Sequence, residues 1–184
     1  MQALTIRPSR DADVPAIAAI YAHHVETGTA SFETVAPDEA EVRRRRNVLT
    51  EKRYPYFVAE LDGEVYGYAY AGPYRTRPAY LHSVEDSVYV RSSVHRRGIG
   101  GALLHALIRA CTHRGIRQMV AIIGDSSQVA SIGLHRAAGF EMVGVLRNVG
   151  YKHDRWLDTV LMQLALGEGA STPPQIGYPE RTNF

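Results

Sequence analysis

The apolar positions of this chain change period several times. Leu103, Leu104, Leu107, Ile108 and Cys111 recur at three- and four-residue spacing and predict a helix with one apolar face. Just upstream, "YLHSVEDSVYV" alternates apolar and polar residues as a strand does. The same reading extends to the rest of the chain. "ALTIR" predicts a short strand. "DADVPAIAAIYAHHVE" predicts a helix opened by acidic residues, with Pro15 in its first turns. "APDEAEVRRRRNVL" predicts a second helix, with Pro37 near its start and acids in its first turn. In "YFVAELDGEVYGYAYAG" two apolar runs flank Asp62-Gly63, a hairpin signal. "RQMVAIIG" reads as a short buried strand and "SQVASIGLHRAAG" as a helix stopped by Gly139. "FEMVGVLRNVGY" and "RWLDTVLMQLAL" complete the set as strands.

The predicted order is β-α-α-β-β-β-α-β-α-β-β, neither a strict βαβ alternation nor an all-β chain. It implies an α/β (α+β) domain with a mixed central sheet flanked by helices. Residues 1–166 read as that single domain. Residues 167–184 read as an extended C-terminal arm, rich in Pro, Gly and polar residues.

Composition narrows the class. At 184 residues, 45% hydrophobic and 22% charged, the chain is globular with room for a real core. A net charge of +2 offers no strong field for nucleic acid or an anionic membrane, and Arg43–Arg46 reads as a solvated helix face. One cysteine, Cys111, precludes an intrachain disulfide, and the start of the chain lacks a signal-peptide profile. The expectation is a soluble, cytoplasmic protein with no nucleic-acid or membrane partner.

One junction carries chemistry. "HRRGIGGALL" places Gly98, Gly100 and Gly101 at the entrance to the amphipathic helix, with Arg96 and Arg97 beside them. A helix N-terminus supplies unpaired N–H groups and partial positive charge, small residues clear the approach, and arginines add charge-assisted bonds. The arrangement suits a pyrophosphate. It lacks the Gly-Lys-Ser/Thr of a P-loop and the spacing of a Rossmann fingerprint.

The loop resembles the coenzyme loop of the GNAT superfamily of acetyl-CoA-dependent N-acetyltransferases, with His95 where that family usually has Gln or Arg. "TASFE", "YAGPYRTRPAY", "VEDSVYV", "SQVASIGLHRAAGF" and "GYKHDRWLDTVLMQ" together resemble the phosphinothricin and methionine sulfoximine N-acetyltransferases within it. The resemblance spans Leu4 to Leu166. It implies the GNAT fold, acetyl-CoA as co-substrate with no metal, and a homodimer. It also implies direct transfer of acetyl to the amine of a small amino-acid-like acceptor in a ternary complex.

By the same resemblance, the backbone of Val88, Tyr89 and Val90 would pair with the pantetheine arm. Arg96, Arg97, Gly98, Ile99, Gly100 and Gly101 would take the pyrophosphate. Gln128 falls where the family usually has a pantetheine-binding Asn, and equally reads as a residue opening an ordinary helix. Glu85 matches the family's glutamate and would take the amine proton, directly or through water. Asp86 would point to the opposite face of a regular strand. The Val88 N–H would polarise the thioester carbonyl. His135 stands where many members have Tyr; it could return a proton to the leaving thiolate, orient Glu85, or serve structure alone. Arg75 and Arg77 offer planar forks for an acceptor's acidic groups. Phe32 and Tyr74 would line its apolar part, and Lys152 would reach the site from a late strand. Cys111 shares the apolar stripe of Leu104 and Ile108 and reads as core, which argues against a covalent route. The rivals are acetylation of another amine (polyamine, aminoglycoside or protein N-terminus) and a non-catalytic acyl-CoA-binding module.

Overall fold

The computed structural model describes residues 4–94 and 98–174. Seven strands form one sheet: β1 (Thr5–Pro8), β2 (Tyr56–Leu61), β3 (Glu64–Pro73), β4 (Ser83–Val90), β5 (Gln118–Gly124), β6 (Glu141–Lys152) and β7 (Arg155–Ala165). Four helices accompany them: α1 (Val14–Thr27), α2 (Glu39–Glu51), α3 (Ile99–His113) and α4 (Val129–Ala137). The spatial order is β1-β2-β3-β4-β5-β7-β6. The mixed α/β architecture and the element order expected from the periodicity both hold.

Local chemistry explains the boundaries. Asp38 caps α2, its Oδ1 accepting the Glu41 N–H at 2.8 Å, which satisfies one orphan donor of the first turn. Between β2 and β3 both turn residues are left-handed, Asp62 at φ 53° and Gly63 at φ 80°, the backbone a two-residue hairpin needs.

The helices bury opposite faces of the sheet. Leu103, Leu104, Leu107 and Cys111 of α3 are fully buried over Ala59, Ala69 and Ala71, whose small side chains let the helix come close. Burying each such leucine is worth about 1.5–3 kcal/mol. On the other face α1 and α2 cover Val58, Val65 and a tier of tyrosines. Tyr56 and Tyr70 stack at 5.0 Å, and Tyr89 stands edge-on to Tyr21 at 5.1 Å.

The basic run of α2 departs from expectation at one residue. Arg46 is buried, with Nη1 on Asp11, Nε on the Ser9 hydroxyl and Nη2 on the Ser9 carbonyl. Four donors met by fixed acceptors make burial of that charge tolerable. The start of the C-terminal arm is held in turns, where Arg117 donates to Glu168, Thr172 and the Pro173 carbonyl. Residues 175–184 lie outside the described residues.

Candidate active site

The sheet opens in the middle. Among the described residues β4 and β5 form the single parallel pair of the ladder, in register from Ser83↔Gln118 to Asp86↔Ala121. β3 stays paired with β4 as far as Val90, and β7 with β5 as far as Gly124. Beyond Asp86 and Ala121 the two strands therefore splay, leaving a cleft lined by Ser87, Val88, Ile122, Gly124, Gln128 and His135.

The ladder determines which backbone groups face that cleft. Arg91 N–H donates to Tyr66 O, and Tyr74 N–H to Ser83 O. Bonding alternates along an antiparallel pair, so Ser83, Glu85, Ser87, Tyr89 and Arg91 bond toward β3. Val88 and Val90 turn their polar backbone atoms toward the cleft. Tyr89 does not, which corrects the expectation that all three residues offer backbone groups there. The Val90 carbonyl lies 2.9 Å from His24 Nε2.

At the mouth of the cleft α3 begins. Gly98 is left-handed at φ 75°, a conformation that favours glycine. Among the described residues a Cβ on Gly98 or Gly101 would meet nothing within 4 Å, so none of them crowds the first-turn N–H groups. Gly100 instead packs on Leu134, and the Ile99 side chain is buried. The expected pyrophosphate contacts Arg96 and Arg97, with His95, lie outside the described residues. Gln128 sits at the N-cap of α4, its Nε2 donating to Thr29 Oγ1 at 3.0 Å. Its amide thus ties α4 to the loop after α1.

Glu85 and Asp86 point to opposite faces of β4, as strand alternation requires. Glu85 joins the tyrosine face, where burial pushes its carboxyl pKa up against the opposing charge of Arg75, with Asp86 adding to the rise. A carboxylate of raised pKa beside a cation is a suitable proton acceptor. Asp86 points into the α3–α4 side and meets His135, Nε2 to Oδ2 at 2.9 Å. The option that His135 orients Glu85 is corrected here: the two lie on opposite sides of the strand.

The remaining predicted residues fall into two groups. Arg75 is exposed, stacked on Tyr74 at 4.3 Å, and donates to the Tyr74 carbonyl. Arg77 is also exposed, at the start of the 3-10 turn Pro78–Tyr80. On the loop after α1, Phe32 lies against Gly124 and Gly150. Behind it, Tyr21 Oη is 2.8 Å from Ser31 Oγ and donates to Glu33. Lys152 is buried and donates to the Ser31 carbonyl at 2.8 Å. Through that bond it pins the Phe32 loop, and burial lowers its pKa.

Sequence reasoning missed several groups. Tyr21 and Ser31 carry no recognisable motif. Asp125, nearly fully buried, binds Arg155 at 2.5 Å and accepts from Thr29 and Ser127. Asp86 did leave a signal: it interrupts the stripe Val84, Val88, Val90 with a carboxylate.

A splayed parallel pair with an open strand edge, followed by a glycine-rich helix start, is a cradle for an extended thioester-bearing arm ending in phosphates. The acetyltransferase (GNAT) domain family matches residues 6–161. The chain belongs to the GNAT acetyltransferase family. It is 52% identical over 173 residues to a phosphinothricin N-acetyltransferase of Alcaligenes faecalis, covering 94% of this chain and 88% of that one. It is 41% identical to an L-methionine sulfoximine/L-methionine sulfone acetyltransferase of Pseudomonas aeruginosa, covering 92% and 98%. Its fold matches that of a GNAT phosphinothricin acetyltransferase from Sinorhizobium meliloti in complex with AcCoA, at TM-score 0.92, 46% identity and 97% coverage of both chains. This GNAT chain is an acetyl-CoA-dependent N-acetyltransferase. Among its described residues no helix is long and apolar enough to cross a membrane.

Proposed function

We propose that the chain acetylates the α-amine of a small anionic amino-acid-like acceptor of the phosphinothricin or methionine sulfoximine kind. Acetyl-CoA, when bound, supplies an activated acyl group. This chain's own residues do the rest. Val88 turns its N–H to where a thioester oxygen would gain charge. Glu85 takes the proton of the incoming amine, directly or through water. Arg75 and Arg77 receive the acceptor's acidic groups, and Phe32 and Tyr74 close its apolar side. Lys152, Tyr21 and Ser31 hold the Phe32 loop in place.

The observation that carries this reading is the juxtaposition at Glu85. A half-buried carboxylate of raised pKa feels the Arg75 cation and stands three residues before Val88, which lies past the end of the β4–β5 ladder. An anionic acceptor held at Arg75 would bring its amine to that carboxylate. Thiol release from acetyl-CoA tests it, with L-phosphinothricin, L-methionine sulfoximine, spermidine and a short peptide offered in parallel. Turnover with the two amino-acid analogues is expected; turnover with spermidine or peptide alone would overturn the acceptor assignment.

The assembly proposed is a homodimer in the cytoplasm. Edge strand β6 and the start of β7 leave Met142, Val143, Leu146, Val149, Tyr151 and Trp156 exposed. An apolar edge of this length is normally covered. Sedimentation should give twice the chain mass, and Trp156→Arg should shift it toward the monomer. The single, buried Cys111 suits a reducing compartment.

A further inference from the structure

Acetyl transfer as described leaves the cleft residues Asp86 and His135 without a role. Asp86 lines the cleft from the face of β4 whose other members, Val84, Val88 and Val90, belong to the apolar core. Its side chain is 1% exposed. A carboxylate in that position is costly unless its charge is met. Oδ2 is met by His135, while Oδ1 has no hydrogen-bond partner among the described residues.

The second nitrogen of His135 settles how many protons the pair holds. Nδ1 lies 2.8 Å from the Ser131 carbonyl oxygen. That oxygen can only accept, so Nδ1 carries a hydrogen. A neutral ring would then aim the Nε2 lone pair at a carboxylate oxygen, two acceptors at 2.9 Å. The contact is a hydrogen bond only when a further proton lies between Nε2 and Oδ2. Burial works against a charged ring, but the Asp86 bond and charge and the Ser131 carbonyl outweigh it, and the His135 pKa is raised above 6.5.

The surroundings leave that proton in place. From α3 the group facing Asp86 is Cys111, a neutral thiol pushed up to about 12 by burial. β3 and β5 set Ala71 and Ala121 opposite it in register. Glu85 lies on the other face of β4, Arg136 of α4 is exposed, and the Phe140 ring stands edge-on to His135 at 5.0 Å.

We infer that Asp86 is a positioning residue for acetyl transfer: it keeps His135 protonated, and the pair stores in the cleft wall the proton that the departing thiolate takes. This rests on the reading that the cleft holds the thioester. The carbon–sulfur bond breaks with its electron pair on sulfur. The pair's proton passes to that sulfur to give the free thiol, leaving His135 neutral with its Nδ1 hydrogen. The amine proton taken by Glu85 goes to solvent, and the pair regains one from solvent before the next turnover. A histidine raised by its partner also approaches the pKa of a thiol, ~8.5, where proton transfer between the two is best matched.

The test is a pH titration of the histidine rings by nitrogen-15 NMR on the full chain without coenzyme, alongside steady-state kinetics. In the unmodified chain both His135 nitrogens should be protonated at pH 7, with titration above 6.5. In Asp86→Asn the amide NH2 donates to Nε2, so His135 should be neutral at pH 7. In the same variant kcat should fall roughly tenfold or more, with its alkaline limb at lower pH. The KM for acetyl-CoA should stay within about twofold, because the stored proton acts in the chemical step and not in binding. A neutral His135 at pH 7 in the unmodified chain overturns the inference, and so does an alkaline limb that Asp86→Asn fails to move. The titration of the unmodified chain decides even if the variant does not fold. It also needs no acceptor, so a wrong acceptor assignment would leave it unchanged.

Discussion

Gly150→Ala isolates the role of Phe32. Gly150 lies in β6 opposite Leu157, and its φ is outside the left-handed region, so alanine meets no backbone strain. The obstacle is the ring: a Cβ there would stand 2.4 Å from Cε2 and 2.6 Å from Cδ2 of Phe32. Relaxed carbon contacts need ~3.5–4.0 Å, so the ring must withdraw by about 1–1.5 Å. Phe32 is 38% exposed and has solvent to move into. The stability cost should therefore stay near the low end for overpacking, about 1 kcal/mol. The functional cost should be larger, because a 1 Å displacement in a positioning group can cost up to ~100-fold. Steady-state thiol release should show kcat/KM for the acceptor down roughly 10–100-fold, with the KM for acetyl-CoA within about twofold. A thermal melt should move only a few degrees. Unchanged acceptor kinetics would refute the placement of Phe32 in the acceptor wall. At Gly124 the neighbour is backbone, the Thr29 carbonyl at 2.6 Å from a Cβ, so Gly124→Ala should lower the melting temperature as well.

Four further outcomes follow from the same geometry. Glu85→Gln should keep acetyl-CoA affinity by calorimetry and lose about 10²–10⁴ in kcat. In the unmodified chain the acid limb of kcat/KM should fall above the ordinary carboxyl value of 4.5, because burial raises Glu85. Cys111→Ala should keep kcat, since a fully buried thiol with a pKa pushed up to about 12 attacks nothing; a large loss at unchanged fold would reopen the covalent route. The folded pKa of His135 exceeds its unfolded value, so the stabilisation from its proton is complete below about pH 6.5 and is lost as pH rises through the folded pKa. Melts from pH 6 upward should record that decline, and Asp86→Asn should flatten it.

Some signals were local enough to read from the chain itself. Residues that bury one face must repeat with the period of their element, so the stripe Leu103, Leu104, Leu107, Cys111 and the alternation of "VEDSVYV" announced α3 and β4. Asp62-Gly63 announced the hairpin because few dipeptides tolerate two left-handed residues. Glu85, Gly98, Arg75 and Phe32 stand in short, contiguous motifs, which is why the chain itself could nominate them for the proposed site.

Other features depend on partners distant in sequence, which periodicity does not encode. Arg46 looked solvated within a basic run, yet Ser9 and Asp11 wait for it across the fold. Lys152, read as a substrate ligand, donates to the Ser31 carbonyl, 121 residues away in sequence. The cleft arises because the β4–β5 ladder stops at Asp86 and Ala121, and a ladder's end depends on how two separate strands twist apart. The sequence determined that Glu85 and Asp86 face opposite ways. Tertiary packing alone decided what each would meet: Arg75 and the tyrosines for one, and for the other His135, brought from α4 across 49 residues into hydrogen-bond range.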